Sequence, residues 1–440
     1  MSALVEIMLK NGFTVTGSDA TLTALTDKLS AKGAKIYKGH AEQNILGADL
    51  VVNTAAVKAD NPEMQAAKAQ NIPVIERAVL LGEMMKKYKN AVAISGTHGK
   101  TTTTGMVSEV FLQADLDPTI LIGGELDSIG GNVRIGDQQY FVTEACEYVD
   151  SFLQFHPTHG IILNIEADHL DYFKDLNHIV HSFHRFASII PLNGALIVNG
   201  DDAAALKASE GLSCPVLTFG IDNQEVDFSA KKIRYTDGLA SYDLKLPDGT
   251  RLPITLSVVG RHNILNSAAV VALALQLGIP TETIQVGLKN FGGTHRRFEH
   301  LGKVNGFTLV DDYAHHPTEI TATLTAAANM PHRKLWCIFQ SHTYTRTAAL
   351  LDAFASSLKA ADHVIIADIY AAREIDHGVV HGRDLVNRIL ALGGQATYLG
   401  EFVSIAQYIL QHAQPDDLVI TMGAGNIDEV AKLLLAQRSV

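Results

Sequence analysis

Gly96-Thr97-His98-Gly99-Lys100-Thr101 brings together the residue types that a phosphate group needs. Two glycines permit a tight loop whose backbone N–H groups converge on an anion. A helix start adds its dipole. Lys100 supplies an ammonium for the outer phosphates of a nucleoside triphosphate, and the Thr101 hydroxyl suits Mg²⁺. The apolar run Ala91–Ile94 reads as the strand before the loop. Thr101, Thr102 and an amphipathic stretch to Ala114 read as the helix after it. The fit to GxxxxGK[ST] is incomplete, because Ile94 holds the first glycine position. The bland alternative is a glycine-rich strand–helix turn with no ligand.

Two acidic clusters follow apolar strands. One is Glu144-Ala145-Cys146-Glu147; the other runs from Asn164 through Glu166, Asp168 and His169 to Asp171. In a parallel βα sheet they share the carboxyl edge with the glycine loop, where ligands bind. Carboxylates and an imidazole beside a triphosphate suggest Mg²⁺ ligands. Taken singly, Asp168 and Asp171 are equally good helix caps. Asn263 and Asn266 share a helix face, suited either to capping a loop or to reading a base edge. Further on come Asp311-Asp312-Tyr313-Ala314-His315-His316, then His342-Thr343-Tyr344-Thr345-Arg346, then Arg373. Arginine forks suit carboxylate or phosphate, with surface ion pairs as the alternative. The paired histidines lack a third zinc ligand nearby. Asp19 ends a short strand, either as a ribose or base contact or as a turn residue.

These residues need a scaffold of repeated βα units. Strands are expected at Phe13–Thr16, Ala34–Tyr37, Ala48–Val57 and Pro73–Ile75, with helices at Ser2–Asn11, Thr21–Lys32, Asn61–Gln70 and Ala78–Tyr88. Ile120–Gly136 reads as a glycine-rich connection. Val226–Pro253 alternates and carries an Asp248-Gly249 turn, so it reads as antiparallel hairpins. Five more strands, Phe307–Asp312, Lys334–Phe339, His363–Ala367, Thr397–Leu399 and Leu418–Met422, alternate with helices. The fold class is α/β with parallel sheets. Boundaries fall near Lys89 and after Phe298, giving parts 1–88, 89–298 and 299–440.

At 440 residues and 47% apolar content the chain has ample material for several cores. A net charge of −12 without a basic block argues against nucleic acid. Three dispersed cysteines form no disulfide framework, which suits a reducing cytoplasm. No apolar run reaches ~18 residues, so no membrane insertion is expected. Glu6 interrupts the opening apolar run, which therefore does not read as a signal peptide.

Six motifs stand in order: GTHGKTTTT (Gly96–Thr104), NIEADHLDYF (Asn164–Phe173), GRHNILN (Gly260–Asn266), GTHRRFEHLG (Gly293–Gly302), DDYAHHPTE (Asp311–Glu319) and GAGNI (Gly423–Ile427). Through them the whole chain resembles the Mur ligase family. DDYAHHP and TEACEYVDSF (Thr143–Phe152) favour its alanine-adding branch. The resemblance implies three domains: a Rossmann-like UDP-substrate domain, a central P-loop ATPase and a C-terminal dinucleotide-fold domain. It implies ATP-driven amide formation through an acyl phosphate, with UDP-N-acetylmuramate and L-alanine as substrates and Mg²⁺ as cofactor.

By motif, Gly96, Thr97, His98, Gly99, Lys100, Thr101 and Thr102 are expected to serve the phosphates, with Thr101, Glu144 and His169 on Mg²⁺. Asn263 and Asn266 match nucleotide and active-site positions, Asn266 near adenine. Arg297 matches an arginine on the phosphates, and Asp312 an acid on the ATP ribose. His315, Tyr344 and Arg346 match the region holding the muramoyl carboxylate and the incoming amino acid, and Asp19 the UDP end. The glycine-rich stretch Gly292–Arg297 reads as a hinge.

The family's opening glycine loop is missing, and the chain starts at what looks like that loop's Met-Ser. The expectation is an N-terminal truncation, leaving the first sheet without its first strand. Thr343 replaces a family arginine, and no lysine stands near His184, where several relatives carry a carbamylated one. A murein tripeptide-recycling ligase and a non-catalytic P-loop protein stay open as alternatives, as do monomer or homodimer and the choice among L-Ala, Gly and L-Ser.

Overall fold

The apolar run before the glycine loop forms the strand Asn90–Ser95, buried from Ala91 onward. A strand buried on both faces belongs at the centre of a parallel sheet. It pairs in parallel with Tyr140–Glu144 on one side and His159–Ile162 on the other. The structure, a computed structural model, describes residues 1–54, 57–170 and 172–437. It divides into two compact units. The first comprises 1–100, 114–123 and 129–218, and the second 101–113, 124–128 and 219–440.

In the first unit the helix Ser2–Lys10 opens the chain and packs Leu4 and Ile7 into the core. Thr16–Asp19 pairs in parallel with Lys35–Lys38, and Val51–Asn53 in parallel with Val74–Glu76. Two separate pairs therefore replace the single sheet that repeated βα units imply. The first strand falls three residues later than expected, on the turn-type residues Thr16-Gly17-Ser18-Asp19. The expected strand over Ala48–Val57 shortens to Val51–Asn53, and its positions 55 and 56 lie outside the described residues.

The larger sheet of this unit runs, in order, Ala195–Asn199, His159–Ile162, Asn90–Ser95, Tyr140–Glu144, Thr119–Leu126 and Gly131–Arg134. The last two strands lie in the stretch read as a glycine-rich connection. Beneath the sheet, Phe152 stacks on Phe186 at 4.7 Å and meets Phe183 edge-on at 5.2 Å. Such ring pairs add to the area that each side chain buries.

In the second unit, Phe228–Thr236, Leu239–Lys245 and Arg251–Val259 form the expected antiparallel meander. The helix Arg261–Gln276 is apolar on nearly all sides and correspondingly buried. A six-stranded sheet follows in the order Glu299–Val304, Phe307–Asp312, Leu418–Met422, Leu335–Phe339, His363–Ala367 and Ala396–Gly400. Its first strand is antiparallel and was not anticipated; the other five are parallel. Apolar cores cover both faces, one around Phe339 and Phe354, the other around Phe307 and Trp336.

One close approach in the first unit is directly testable. The helix Arg77–Met85 lies against the short helix Tyr148–Gln154, and a Cβ on Gly82 would sit 1.8 Å from the Gln154 carbonyl oxygen. Gly82→Ala must push the two backbones apart, at a cost of roughly 1–3 kcal/mol. A Tm lowered by several degrees is expected in a thermal melt, and an unchanged Tm would refute the contact.

Candidate active site

The glycine loop is held by the chain segment that leaves the neighbouring strand. Gly96 adopts φ +141°, and a Cβ there would meet Leu163 Cβ at 3.0 Å and the Asn164 nitrogen at 3.2 Å. Only glycine lets the two backbones approach so closely. Thr97 N–H donates to the Asn164 carbonyl at 3.0 Å. The Asn164 carboxamide then accepts from His98 N–H at 2.8 Å and donates to the His98 carbonyl at 3.1 Å. Thr97 Oγ1 returns the favour by accepting from Glu166 N–H at 2.9 Å. Asn199 and Asp202 fasten the segment from the other side, through the Leu163 carbonyl and Ile165 N–H. Asn164 stood in a quoted motif but was not singled out; a buried side-chain amide that makes a backbone-like bridge has no signature in a single sequence.

Lys100 opens the following helix, Lys100–Gln113, and its ammonium turns back onto the loop. It donates to the Gly96 carbonyl, to the Thr97 carbonyl at 3.1 Å and to Glu147 Oε2 at 3.0 Å. Burial works to lower its pKa, and the carboxylates of Glu147 and Glu144 outweigh burial and hold it above the ordinary value. Glu147 is 3% exposed, and its Oε1 lies 3.9 Å from His169 Nε2. His169 sits at φ +53° with its ring 4.6 Å from that of Tyr148. Asp168 Oδ2 is 4.0 Å from the same imidazole nitrogen. The structure thus brings Lys100, Glu147, Asp168 and His169 together. Glu144 is turned to the backbone N–H of Gly123. Glu147 is the carboxylate that sequence reasoning passed over.

The helix caps fall differently from expectation. Asp168 Oδ1 accepts from its neighbour His169 N–H at 2.7 Å, and the cap of the helix Leu176–Ala187 is Asp175. Asp171 lies outside the described residues. Asp19 is exposed and accepts from Thr21 N–H at 3.1 Å, the geometry of a turn residue. Thr101 is buried and Thr102 half-buried. His184 bonds the Ala208 carbonyl at 3.0 Å.

In the second unit two adjacent arginines have different tasks. Arg296 is tied down: its guanidinium donates to Asp311 at 2.9 Å and to the carbonyls of Gly423 and Gly425 at 2.8 and 3.0 Å. Arg297 lies over the Tyr313 ring at 4.9 Å. Asp312 accepts from Phe298 N–H and Ala314 N–H, both at 2.7 Å, one on each oxygen. Burial pushes its carboxyl up to about 6 against the pull of Arg297. Both oxygens thus brace backbone, at Phe298 before the strand Glu299–Val304 and at Ala314 after the strand Phe307–Asp312. Asn263 donates to the Val259 carbonyl at 2.7 Å and accepts from Asn266 at 3.0 Å. Asn263 is therefore the loop cap of the two readings, and Asn266 is anchored through it.

His315 Nδ1 lies 3.1 Å from the Tyr313 carbonyl oxygen and 3.2 Å from Glu319. His316 is the N-cap residue of the helix Pro317–Ala328. The rings of His315 and His342 stand 6.1 Å apart. Burial lowers both imidazoles, His342 to about 4, and the Arg346 charge adds to the effect. His342 Nδ1 is buried without a hydrogen-bond partner among the described residues. Thr343 takes φ +68° and caps the helix Tyr344–Ala349. Glu374 accepts from Tyr344 N–H and Thr345 N–H, at 2.7 and 3.0 Å. Thr343 and Glu374 together satisfy the start of the helix that carries Tyr344 and Arg346.

Asn164→Ala removes both carboxamide bonds and leaves His98 N–H and its carbonyl to find other partners. A lost buried hydrogen bond costs about 1–3 kcal/mol when a partner is left unsatisfied. Hydrogen exchange at residues 96–99 is expected to accelerate at least tenfold, with the second unit unchanged. Equal protection in the variant would show that the clamp is dispensable.

Three family descriptions match consecutive parts of the chain. They are "Mur ligase family, catalytic domain" over residues 1–89, "Mur ligase middle domain" over 94–274 and "Mur ligase, glutamate ligase domain" over 296–425. The UDP-N-acetylmuramate–L-alanine ligase of Alkaliphilus metalliredigens is 51% identical over 439 residues, which cover 100% of this chain and 95% of that protein. The enzyme of the same name from Acetivibrio thermocellus is 51% identical over 442 residues, covering 100% and 94%. Among solved structures, the UDP-N-acetylmuramate-alanine ligase MurC of Thermotoga maritima superposes with a TM-score of 0.84 at 28% identity, covering 99% of this chain and 96% of that one. A murein peptide ligase of Psychrobacter arcticus gives 0.73 at 27% identity, covering 100% and 97%. Spans of this size lend no support to the expected N-terminal truncation. The three-domain α/β architecture is shared with MurC, and half of the residues are shared from end to end with the curated ligases. That likeness goes beyond fold: the chain belongs to the Mur ligase family.

Proposed function

We propose that this chain is an ATP-dependent ligase that joins L-alanine to UDP-N-acetylmuramate, a step of peptidoglycan precursor synthesis. The observation that carries the reading is the cluster of Lys100, Glu147 and His169 beside the clamped glycine loop. The 51% identity to alanine-adding ligases supports the choice of amino acid. Domain boundaries near Lys89 and after Phe298 suit the three matched segments.

The reaction has two displacements. The muramoyl carboxylate attacks the γ-phosphorus of ATP, giving an acyl phosphate and ADP. The L-alanine amine then attacks the acyl carbon and phosphate leaves, with one proton lost from the amine. Little covalent work falls to the protein, which positions the reactants and neutralises charge. Lys100 serves the phosphates after giving up one of its present acceptors. Arg297 is the more available of the two adjacent arginines for the same task. Asn266, with Asn263 behind it, is assigned to the nucleotide. His315, Tyr344 and Arg346 are assigned to the acceptor carboxylate and the amino acid, where Arg346 provides a bidentate fork. Burial and the Arg346 charge both lower the pKa of the neighbouring imidazoles His315 and His342.

The donor set suits Mg²⁺: carboxylate oxygens at Glu147, Asp168 and Glu144, with one imidazole at His169. Glu144, His169 and Thr101 are the residues assigned to it. When bound, Mg²⁺ would neutralise charge on the transferring phosphoryl group.

Phosphate release should be measured with ATP, Mg²⁺ and UDP-N-acetylmuramate, comparing L-Ala, Gly, L-Ser and murein tripeptide. L-Ala is expected to give the highest kcat/KM; a preference for tripeptide would make the chain a recycling ligase. Lys100→Ala is expected to lower kcat at least ~10²-fold. A variant that keeps half of its turnover would sink the phosphate assignment. Arg346→Ala is expected to raise the acceptor KM with ATP affinity unchanged. The reverse pattern would remove Arg346 from the acceptor site.

A further inference from the structure

Lys100 is fully engaged by its own chain. An ammonium has three N–H donors, and here they meet the carbonyls of Gly96 and Thr97 and the Glu147 carboxylate. Glu147 faces two ways. Its Oε2 holds Lys100 at 3.0 Å, and its Oε1 lies 3.9 Å from the imidazole nitrogen of His169. Glu144 takes no part in this contact, because its carboxylate accepts from Gly123 N–H.

From this geometry we propose that Glu147 is a positioning residue that makes nucleotide binding depend on a divalent cation. With no cation bound, Glu147 holds Lys100 on the loop. With a cation held beside His169, Glu147 would turn to it and leave the Lys100 ammonium free for phosphate. The inference rests on the nucleotide reading of the glycine loop.

The physical argument is one of exchange. For metal-free nucleotide, Lys100 must trade a carboxylate for a phosphate oxygen, one charge-assisted hydrogen bond for another. The trade also leaves a nearly fully buried carboxylate without its cation, which is strongly unfavourable. A divalent cation removes that penalty, because the carboxylate keeps a positive partner throughout. Metal should therefore raise nucleotide affinity by more than its direct contact with the phosphates, and the excess should vanish when Glu147 loses its charge.

The probe is ADP, titrated calorimetrically into the full chain with Mg²⁺ or with EDTA. In EDTA, Glu147→Gln is expected to bind ADP about tenfold more tightly than wild type, as the loss of one competing charge-assisted contact implies. The enhancement by Mg²⁺ should shrink by a similar factor. In a Lys100→Met background the same glutamate substitution should change ADP affinity less than about twofold.

Metal-free affinity that is unchanged or weaker in Glu147→Gln overturns the proposal. So does tightening that persists at full size without Lys100, which would mean simple repulsion of phosphate by Glu147. Should Glu147→Gln fail to fold by circular dichroism, Lys100→Met decides alone: its Mg²⁺ enhancement must be smaller than that of wild type, and an equal one overturns the coupling. A wild-type chain that binds no ADP even with Mg²⁺ overturns the nucleotide reading itself, and this inference with it.

Discussion

The parallel pairing of Asn90–Ser95 between Tyr140–Glu144 and His159–Ile162 is the constraint from which the first unit's site follows. Its register sets Ile94 opposite Glu144 on one side and Ser95 opposite Ile162 on the other. Parallel strands deliver their following loops to one edge, so the glycine loop, the Glu144–Glu147 turn and the Leu163–His169 segment emerge side by side. The fit is tight enough that residue choice is narrow. Gly96 must lack a side chain where it passes Leu163, and Asn164 must carry both a donor and an acceptor to bridge His98. A one-residue slip in either neighbour would separate Glu147 from Lys100 and reverse which faces are buried.

Buried charge in the second unit is spent largely on architecture. Arg296 joins the segment before the strand Glu299–Val304 to Asp311 and to the glycine turn after Leu418–Met422. Asp312 ties Phe298 to Ala314. Removing one partner of such a pair leaves a desolvated charge, so each acts as a lock on the backbone. This separates two residues that sequence treats alike: Arg296 is committed, and Arg297 rests over the Tyr313 ring.

Much of this was legible in the chain itself. Apolar runs bounded by turn residues gave the five parallel strands of the C-terminal sheet, because fully buried strands read as continuous apolar stretches. The strand, glycine loop and helix around Gly96–Thr101 were legible because glycine, lysine and threonine stand in register after such a run. Two things were not legible. Gly123 and Gly124 suggested a loop, yet they lie in the strand Thr119–Leu126. A Cβ on Gly123 would meet the Glu144 carboxylate at 2.9 Å, so glycine marks a close approach there, which composition cannot distinguish from a turn. Glu144 and Glu147 likewise could not be ranked. They are three residues apart, and only the fold shows that Glu147 turns toward Lys100 while Glu144 turns to Gly123 N–H.

The two units handle charge in opposite ways, and the difference suits their assigned chemistry. Around Lys100 carboxylates outnumber cations, which keeps the ammonium protonated. Around Arg346 burial keeps the neighbouring imidazoles neutral, His342 well below physiological pH. Thr343, at φ +68°, holds through its side chain the start of the helix that carries Arg346, with no charge of its own.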